Sequence, residues 1–250
     1  LTGDWSSDVC SSDLLDAEPR FLPHLLEIHR KFPKLRIILE HCTTAAAVEC
    51  VRPSAFSRQF SLTHRTQVKT LPLNISATIT PHHLALTIDQ AVASPLAFCK
   101  PIAKYPSDRA ALRSVIREGH PQFFLGSDSA PHPSGSKMPT MTVAAGVDGK
   151  DEVTLPSPCA AGIYTSAELI PQLATIFESS GIPLERLAGF ASTFGRKFYG
   201  VPAKEGDEVT LRRVEGKVVE TAYGYETAEG KKWIVPFLAG EKLGWEIVWA

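Results

Sequence analysis

Three runs in the chain are apolar, rich in β-branched or aromatic residues, and end on a side chain that can bind a metal. They are Leu35-Arg36-Ile37-Ile38-Leu39-Glu40-His41, Ile75-Ser76-Ala77-Thr78-Ile79-Thr80-Pro81-His82-His83 and Phe123-Phe124-Leu125-Gly126-Ser127-Asp128. Such runs predict strands of a parallel sheet, buried on both faces. A polar side chain closing a buried strand loses hydration unless something pairs with it. Helical patterns lie between the runs. Residues 16–32 place Leu22, Leu25, Leu26, His29 and Phe32 at helical spacing behind Asp16 as cap, with Pro23 positioned to kink the helix. Ser107 predicts the cap of a helix over 108–118, with Leu112, Val115 and Ile116 inward and Gly119 as its stop. Thr165 with Glu168 reads as a capping box for a helix to about residue 179. Residues 184–198 predict another helix, with Leu187, Phe190, Phe194 and Phe198 on its apolar side. Too few residues separate His83 from the short run 96–99 for a full crossover helix. Residues 134–158, rich in Gly, Pro, Ser and Thr, predict a loop, and the chain closes in a β-like alternation.

Helix alternating with buried strand is the order of a parallel α/β sheet. In a (β/α)8 barrel the carboxyl ends of the strands meet on one face, where two imidazoles and a carboxylate would form a transition-metal site. A complete barrel needs eight strand–helix units, and only about four such strands are present. The predicted fold is therefore α/β, the carboxyl-terminal half of a (β/α)8 barrel with a helical and short β extension. One domain is expected over residues 15–250. Residues 51–74, basic and without periodicity, read as an insertion or as retained intron sequence. Residues 1–14, with Gly3-Asp4-Trp5-Ser6-Ser7-Asp8, read as a translated sequencing adapter and not as native protein.

Composition narrows the function. The 250 residues are 44% hydrophobic and 21% charged with a net charge of −1, ordinary globular values that favour neither a nucleic-acid nor an acidic-membrane partner. No apolar run approaches the ~20 residues that span a bilayer, so a soluble, cytoplasmic protein is expected. Five cysteines without CxxC spacing read as reduced thiols, not as disulfides or a thiolate zinc site.

Each candidate has a plainer reading. His41 could be a hydrogen-bonded structural imidazole. Of His82 and His83, read as neighbours on a strand, only one could face the barrel centre. Asp128 could cap the turn that follows it. Asp128 and His132, four apart in a Pro-containing loop, suit a metal-bound base and a substrate contact. The three features in order at strand ends favour the metal site.

These residues also carry a resemblance. Glu40-His41-Cys42-Thr43-Thr44, the stretch Ala77-Thr78-Ile79-Thr80-Pro81-His82-His83-Leu84, Leu125-Gly126-Ser127-Asp128-Ser129-Ala130-Pro131-His132 and Val235-Pro236-Phe237-Leu238-Ala239-Gly240-Glu241 are similar to motifs of the dihydroorotases. The likeness is to the single-function bacterial and fungal type, within the amidohydrolase superfamily. It runs from about Asp16 to the carboxyl end, apart from residues 51–74 and 136–157.

The resemblance implies a binuclear zinc barrel that interconverts N-carbamoyl-L-aspartate and L-dihydroorotate in pyrimidine biosynthesis. It implies His41, His83 and Asp128 as metal ligands, with Asp128 also the catalytic proton carrier. His41, His132, Ala160 and the backbone around Lys100 would bind the substrate. A small-molecule partner is expected, and a homodimer is allowed for. The family pattern also contains a His-x-His pair and a metal-bridging carboxylated Lys, and neither is present here. The expectation is an amino-terminally truncated chain, inactive and poorly stable alone. A non-catalytic amidohydrolase-like scaffold and another cyclic amidohydrolase are the competing readings.

Overall fold

The computed structural model describes residues 14–52, 74–145, 151–156, 158–204, 206 and 208–248. The proposed non-native segment and the insertion fall almost wholly outside the described residues.

Helix α1 (Ala17–Lys31) precedes strand β1 (Ile37–Leu39), and α2 (Ala45–Val51) follows it. Pro23 lies inside α1, and Asp16 occupies the cap position without a side-chain cap bond. Strand β2 (Ile75–Ile79) is buried along its whole length. Two short helices follow, α3 (Pro81–Ala85) and α4 (Ile88–Ala93), then α5 (Pro106–Glu118) and β3 (Phe123–Leu125). The three strands form a parallel sheet in the order β1-β2-β3, pairing Leu39 with Ala77 and Ile79 with Leu125. Their carboxyl ends therefore lie side by side. Parallel bridges from Ser129 to Ile163 and from Tyr164 to Pro236 continue the series beyond β3. The apolar strands read from sequence are thus confirmed, each shorter than its run.

Helix α5 presents Leu112, Val115 and Ile116 to the core and stops at Gly119 in the left-handed conformation, as the pattern predicts. Its cap is Tyr105, with Pro106 at the first helical position, and not Ser107. Proline suits that position because its missing N–H and fixed φ cost nothing there. Leu112, Phe123, Leu173, Phe177 and Phe190 meet Ile79 and Leu84 in the dry core between helices and sheet.

Several expectations fail for local reasons. Residues Pro95–Ala97 form a 3-10 turn where a strand was expected. Residues 134–158 contain helix α6 (Ser134–Lys137) and an antiparallel hairpin, β4 (Thr140–Ala145) with β5 (Asp151–Pro156), where a loop was predicted. The hairpin carries alternating residues such as Met141, Val143, Val153 and Leu155, a period-2 signal that the flanking Gly and Pro obscured. Thr165 does not cap α7 (Leu169–Ser179), because its hydroxyl donates to the Ser127 carbonyl and a 3-10 turn intervenes. The helix expected over 184–198 is a continuous path of 3-10, α and π turns ending in α8 (Phe194–Tyr199).

The β-like tail consists of β6 (Thr210–Val218) paired with β9 (Lys242–Val248), and β7 (Tyr223–Thr227) paired with β8 (Gly230–Ile234). Strand β9 packs on α7, where Trp245 Nε1 donates to Glu178 and the Gly244 amide donates to Thr175.

Candidate metal and carboxylate site

The carboxyl ends of β1, β2 and β3 each break the strand with an abrupt turn. His41 and Asp128 both take positive φ, 44° and 42°. His and Asp are among the few non-glycine residues that tolerate this conformation. Thr78, in the central strand, anchors the turn at His41. Its hydroxyl accepts the His41 amide at 2.7 Å and donates to Glu40 Oε2 at 2.6 Å. Its carbonyl accepts the Cys42 amide at 2.8 Å. On the other side Gly126 lies so close that a Cβ there would approach Thr78 Cβ to 2.7 Å. Just past His41 in the chain, the Thr43 amide donates at 2.8 Å to the half-buried Glu18 of α1, whose carboxyl pKa is raised by burial.

At the end of β2 the chain turns directly into α3, so His82 and His83 are not strand neighbours on opposite faces. Thr80 caps α3 by accepting the His83 amide, and Pro81 fills its first position. Adjacent helical residues diverge by about 100°, and both rings are buried, at 0% and 3% exposure. The His83 ring is engaged at both nitrogens: Nε2 meets the Pro101 carbonyl at 2.9 Å and Nδ1 meets Thr80 Oγ1 at 2.7 Å. Because a carbonyl only accepts, Nε2 carries the proton and Nδ1 accepts from the threonine. His82 has neither ring nitrogen hydrogen-bonded, and its Nε2 lies 3.9 Å from Asp128 Oδ2. Sequence position pointed to His83. The structure turns His82 toward Asp128 instead.

Burial is the main cause of every shift here. It pushes the His83 pKa down to about 3 and drives His82 well below its ordinary value, with nearby imidazoles adding to both. It raises the Asp128 carboxyl, which His41 pulls back and Glu40 pushes further. Cys99, raised to about 11, lies with its Sγ 3.8 Å from His83 Nε2. Among the described residues, His82, His83 and Cys99 hold their ligand atoms within 4.8 Å of one another. No CxxC spacing announced that thiol.

The donors suit a transition metal: imidazoles kept neutral, one buried with neither nitrogen hydrogen-bonded to protein, beside a half-buried carboxylate. A buried imidazole with no partner costs a few kcal/mol, which a metal or a proton shared with Asp128 would offset. The set is too small for two metals.

Of the predicted substrate contacts, His132 and Ala160 lie on loops that meet at Gly162. His132 Nε2 donates to the Ala161 carbonyl at 2.9 Å. Ala160 spends its amide on Ser136 O and its carbonyl on Lys137. Lys100 is exposed in the turn after the 3-10 segment. Gly162, at φ 147°, lets these loops close. A Cβ there would come within 2.7 Å of the Ala130 carbonyl and 2.8 Å of His132 Nε2. Gly162→Ala is therefore expected to cost about 1–3 kcal/mol, lowering the melting temperature by several degrees. A thermal melt superimposable on the parent would refute this.

No protein-family model matches the chain. A dihydroorotase of Mycosarcoma maydis is 43% identical over 264 residues, 94% of this chain and 62% of that protein. The Saccharomyces cerevisiae dihydroorotase is 38% identical, over 94% of this chain and 57% of its own length. The chain is a homologue of the dihydroorotases. Solved structures agree. A Saccharomyces cerevisiae dihydroorotase in complex with 5-fluoroorotic acid superposes with a TM-score of 0.71 at 35% identity, covering 95% of this chain and 58% of that one. A Campylobacter jejuni dihydroorotase gives 0.69 at 30%. An Arthrobacter aurescens L-hydantoinase, 18% identical with a TM-score of 0.65, shares the fold. The chain spans roughly three fifths of the dihydroorotases it matches, and its fold is the corresponding part of an amidohydrolase barrel.

Proposed function

We propose that this chain supplies the carboxyl-terminal part of a dihydroorotase, which reversibly cyclises N-carbamoyl-L-aspartate to L-dihydroorotate. The observation that carries the reading is the gathering of His41, the His82–His83 pair and Asp128 at adjacent carboxyl ends of one parallel sheet. Zinc is the metal proposed, with His41, Asp128 and one imidazole of the pair as ligands. A bound zinc would polarise the amide carbonyl and generate hydroxide near neutral pH. Asp128, raised by burial, is suited to carry a proton between the attacking water and the leaving nitrogen. His132 and the loops around Lys100 and Ala160 would orient a substrate carboxylate.

Motif position favours His83 as the third ligand, which requires its ring to release Pro101 or Thr80. A second reading makes it His82, favoured by two orphaned nitrogens and proximity to Asp128. Zinc content of His82→Gln and His83→Gln separates them, since only the ligand's loss releases metal.

The sequence holds no His-x-His pair, so the 250 residues alone complete half a binuclear site at most. The expected result is no turnover of L-dihydroorotate by the chain with zinc, and turnover once the amino-terminal part of the Saccharomyces cerevisiae relative is supplied in trans. Turnover by the chain alone at the rate of that whole relative would contradict the incomplete site. Silence of an assembled, zinc-loaded pair would contradict the activity. Among the described residues no helix is long and apolar enough to cross a membrane.

A further inference from the structure

We propose that Lys137 is a positioning residue for a carboxylate-bearing ligand, fixing the 160–162 backbone and, through the Ala161 carbonyl, the ring of His132. The inference rests on reading the pocket as a dihydroorotase site.

Lys137 closes α6 and is only 4% exposed. Its ammonium donates to the carbonyls of Phe98, Ala160 and Gly162, each at 2.9 Å. That uses all three of its protons. Among the described residues no carboxylate pairs with it, so carbonyl dipoles solvate the charge without cancelling it. A buried ammonium is costly to keep, which argues for a use beyond packing.

The geometry supplies that use. The two clamped carbonyls flank Ala161, whose own carbonyl accepts the His132 Nε2 proton at 2.9 Å. The Gly162 amide donates to Phe98 O at 3.0 Å and the Ala160 amide to Ser136 O at 2.9 Å, so three distant segments are knotted around one ammonium. His132 is thereby held in one tautomer and one orientation, with Nδ1 as the atom left for a ligand. Phe98 lies two residues from Lys100, so the clamp also sets the second loop expected near a carboxylate. A fixed imidazole beside an uncancelled positive charge favours an anion over a neutral ring of the same shape.

Orotate and uracil differ by that carboxylate, and calorimetry of each with the 250-residue chain is the test. Lys137→Met is expected to weaken orotate about tenfold and leave uracil unchanged, with Lys137→Arg recovering most of the loss. Nitrogen-15 spectra of His132 should show the Nε2–H tautomer in the parent and the Arg variant and lose it in the Met variant. Equal weakening of both ligands, or unchanged orotate affinity, overturns the proposal. If the parent prefers neither ligand even when assembled with the amino-terminal part of the Saccharomyces cerevisiae relative, the substrate reading fails. The spectra then decide alone, an unchanged His132 signal in Lys137→Met refuting the clamp and its loss with Arg rescue supporting it. Should Lys137→Met not fold, Lys137→Gln, which keeps two donors without charge, replaces it with the same outcomes.

Discussion

Asp128→Asn, in the chain assembled with the amino-terminal part of its relative, is expected to lower L-dihydroorotate hydrolysis about a thousandfold. Proton transfer by a positioned side chain is worth ~10²–10⁴ in rate, and an amide can neither take the proton nor supply a charged ligand. The substitution is clean in other respects. Asn matches Asp in shape, and at φ 42° it is at least as well tolerated. Asp128 is half-buried and burial already disfavours its charged form, so the fold should lose little. The expected outcome is a melting temperature near the parent's with zinc content and turnover both reduced. A variant that retains more than a tenth of the parent's rate would remove Asp128 from the chemistry.

Mild acid should unfold the metal-free chain. His82 and His83 stay neutral in the folded state, His83 down to about pH 3, whereas an unfolded histidine takes up a proton near pH 6.5. Below that value the unfolded chain binds more protons, so stability is complete above pH 6.5 and falls as the pH drops toward the folded values. His83 alone amounts to about 2 kcal/mol lost between pH 7 and pH 5, an appreciable share of the ~5–15 kcal/mol that holds a domain together, and His82 adds to the loss in the same direction. His29 and His120, also lowered by burial, act in the same direction. Glu18 and Asp128, raised by burial, act in the opposite direction nearer pH 4, which is why the window stops at pH 5. Urea unfolding in chelator at pH 7, 6 and 5 measures the loss, and His82→Gln with His83→Gln should flatten most of it. A parent whose stability is unchanged from pH 7 to pH 5 would mean that these rings are hydrated in solution.

The acid response and the Asp128 chemistry share one cause, polar groups placed where the sheet ends and water is excluded. Much of that placement was legible. Runs 35–41, 75–83 and 123–128 read as buried strands because a strand covered on both faces has to be apolar throughout, and their terminal residues stood out as exceptions. At the end of β2 the apolar run hides the switch to helix, although Thr80-Pro81 has the character of a cap followed by proline at the first helical position. That local signal was available and would have placed both imidazoles in one helical turn.

By itself, the sequence determined the parallel α/β order, the three strand ends carrying His41, His82–His83 and Asp128, and the likeness to dihydroorotases. These follow from local pattern, which nearest neighbours in the chain enforce. Only the tertiary structure decided that His82 faces Asp128, that Thr78 anchors the turn at His41, and that Lys137 is buried among the carbonyls of Phe98, Ala160 and Gly162. A lysine in a Gly- and Ser-rich stretch looks like any solvated lysine. Its acceptors come from segments up to 39 residues away, and no periodicity along the chain encodes a hydrogen bond between segments that meet only when the sheet closes.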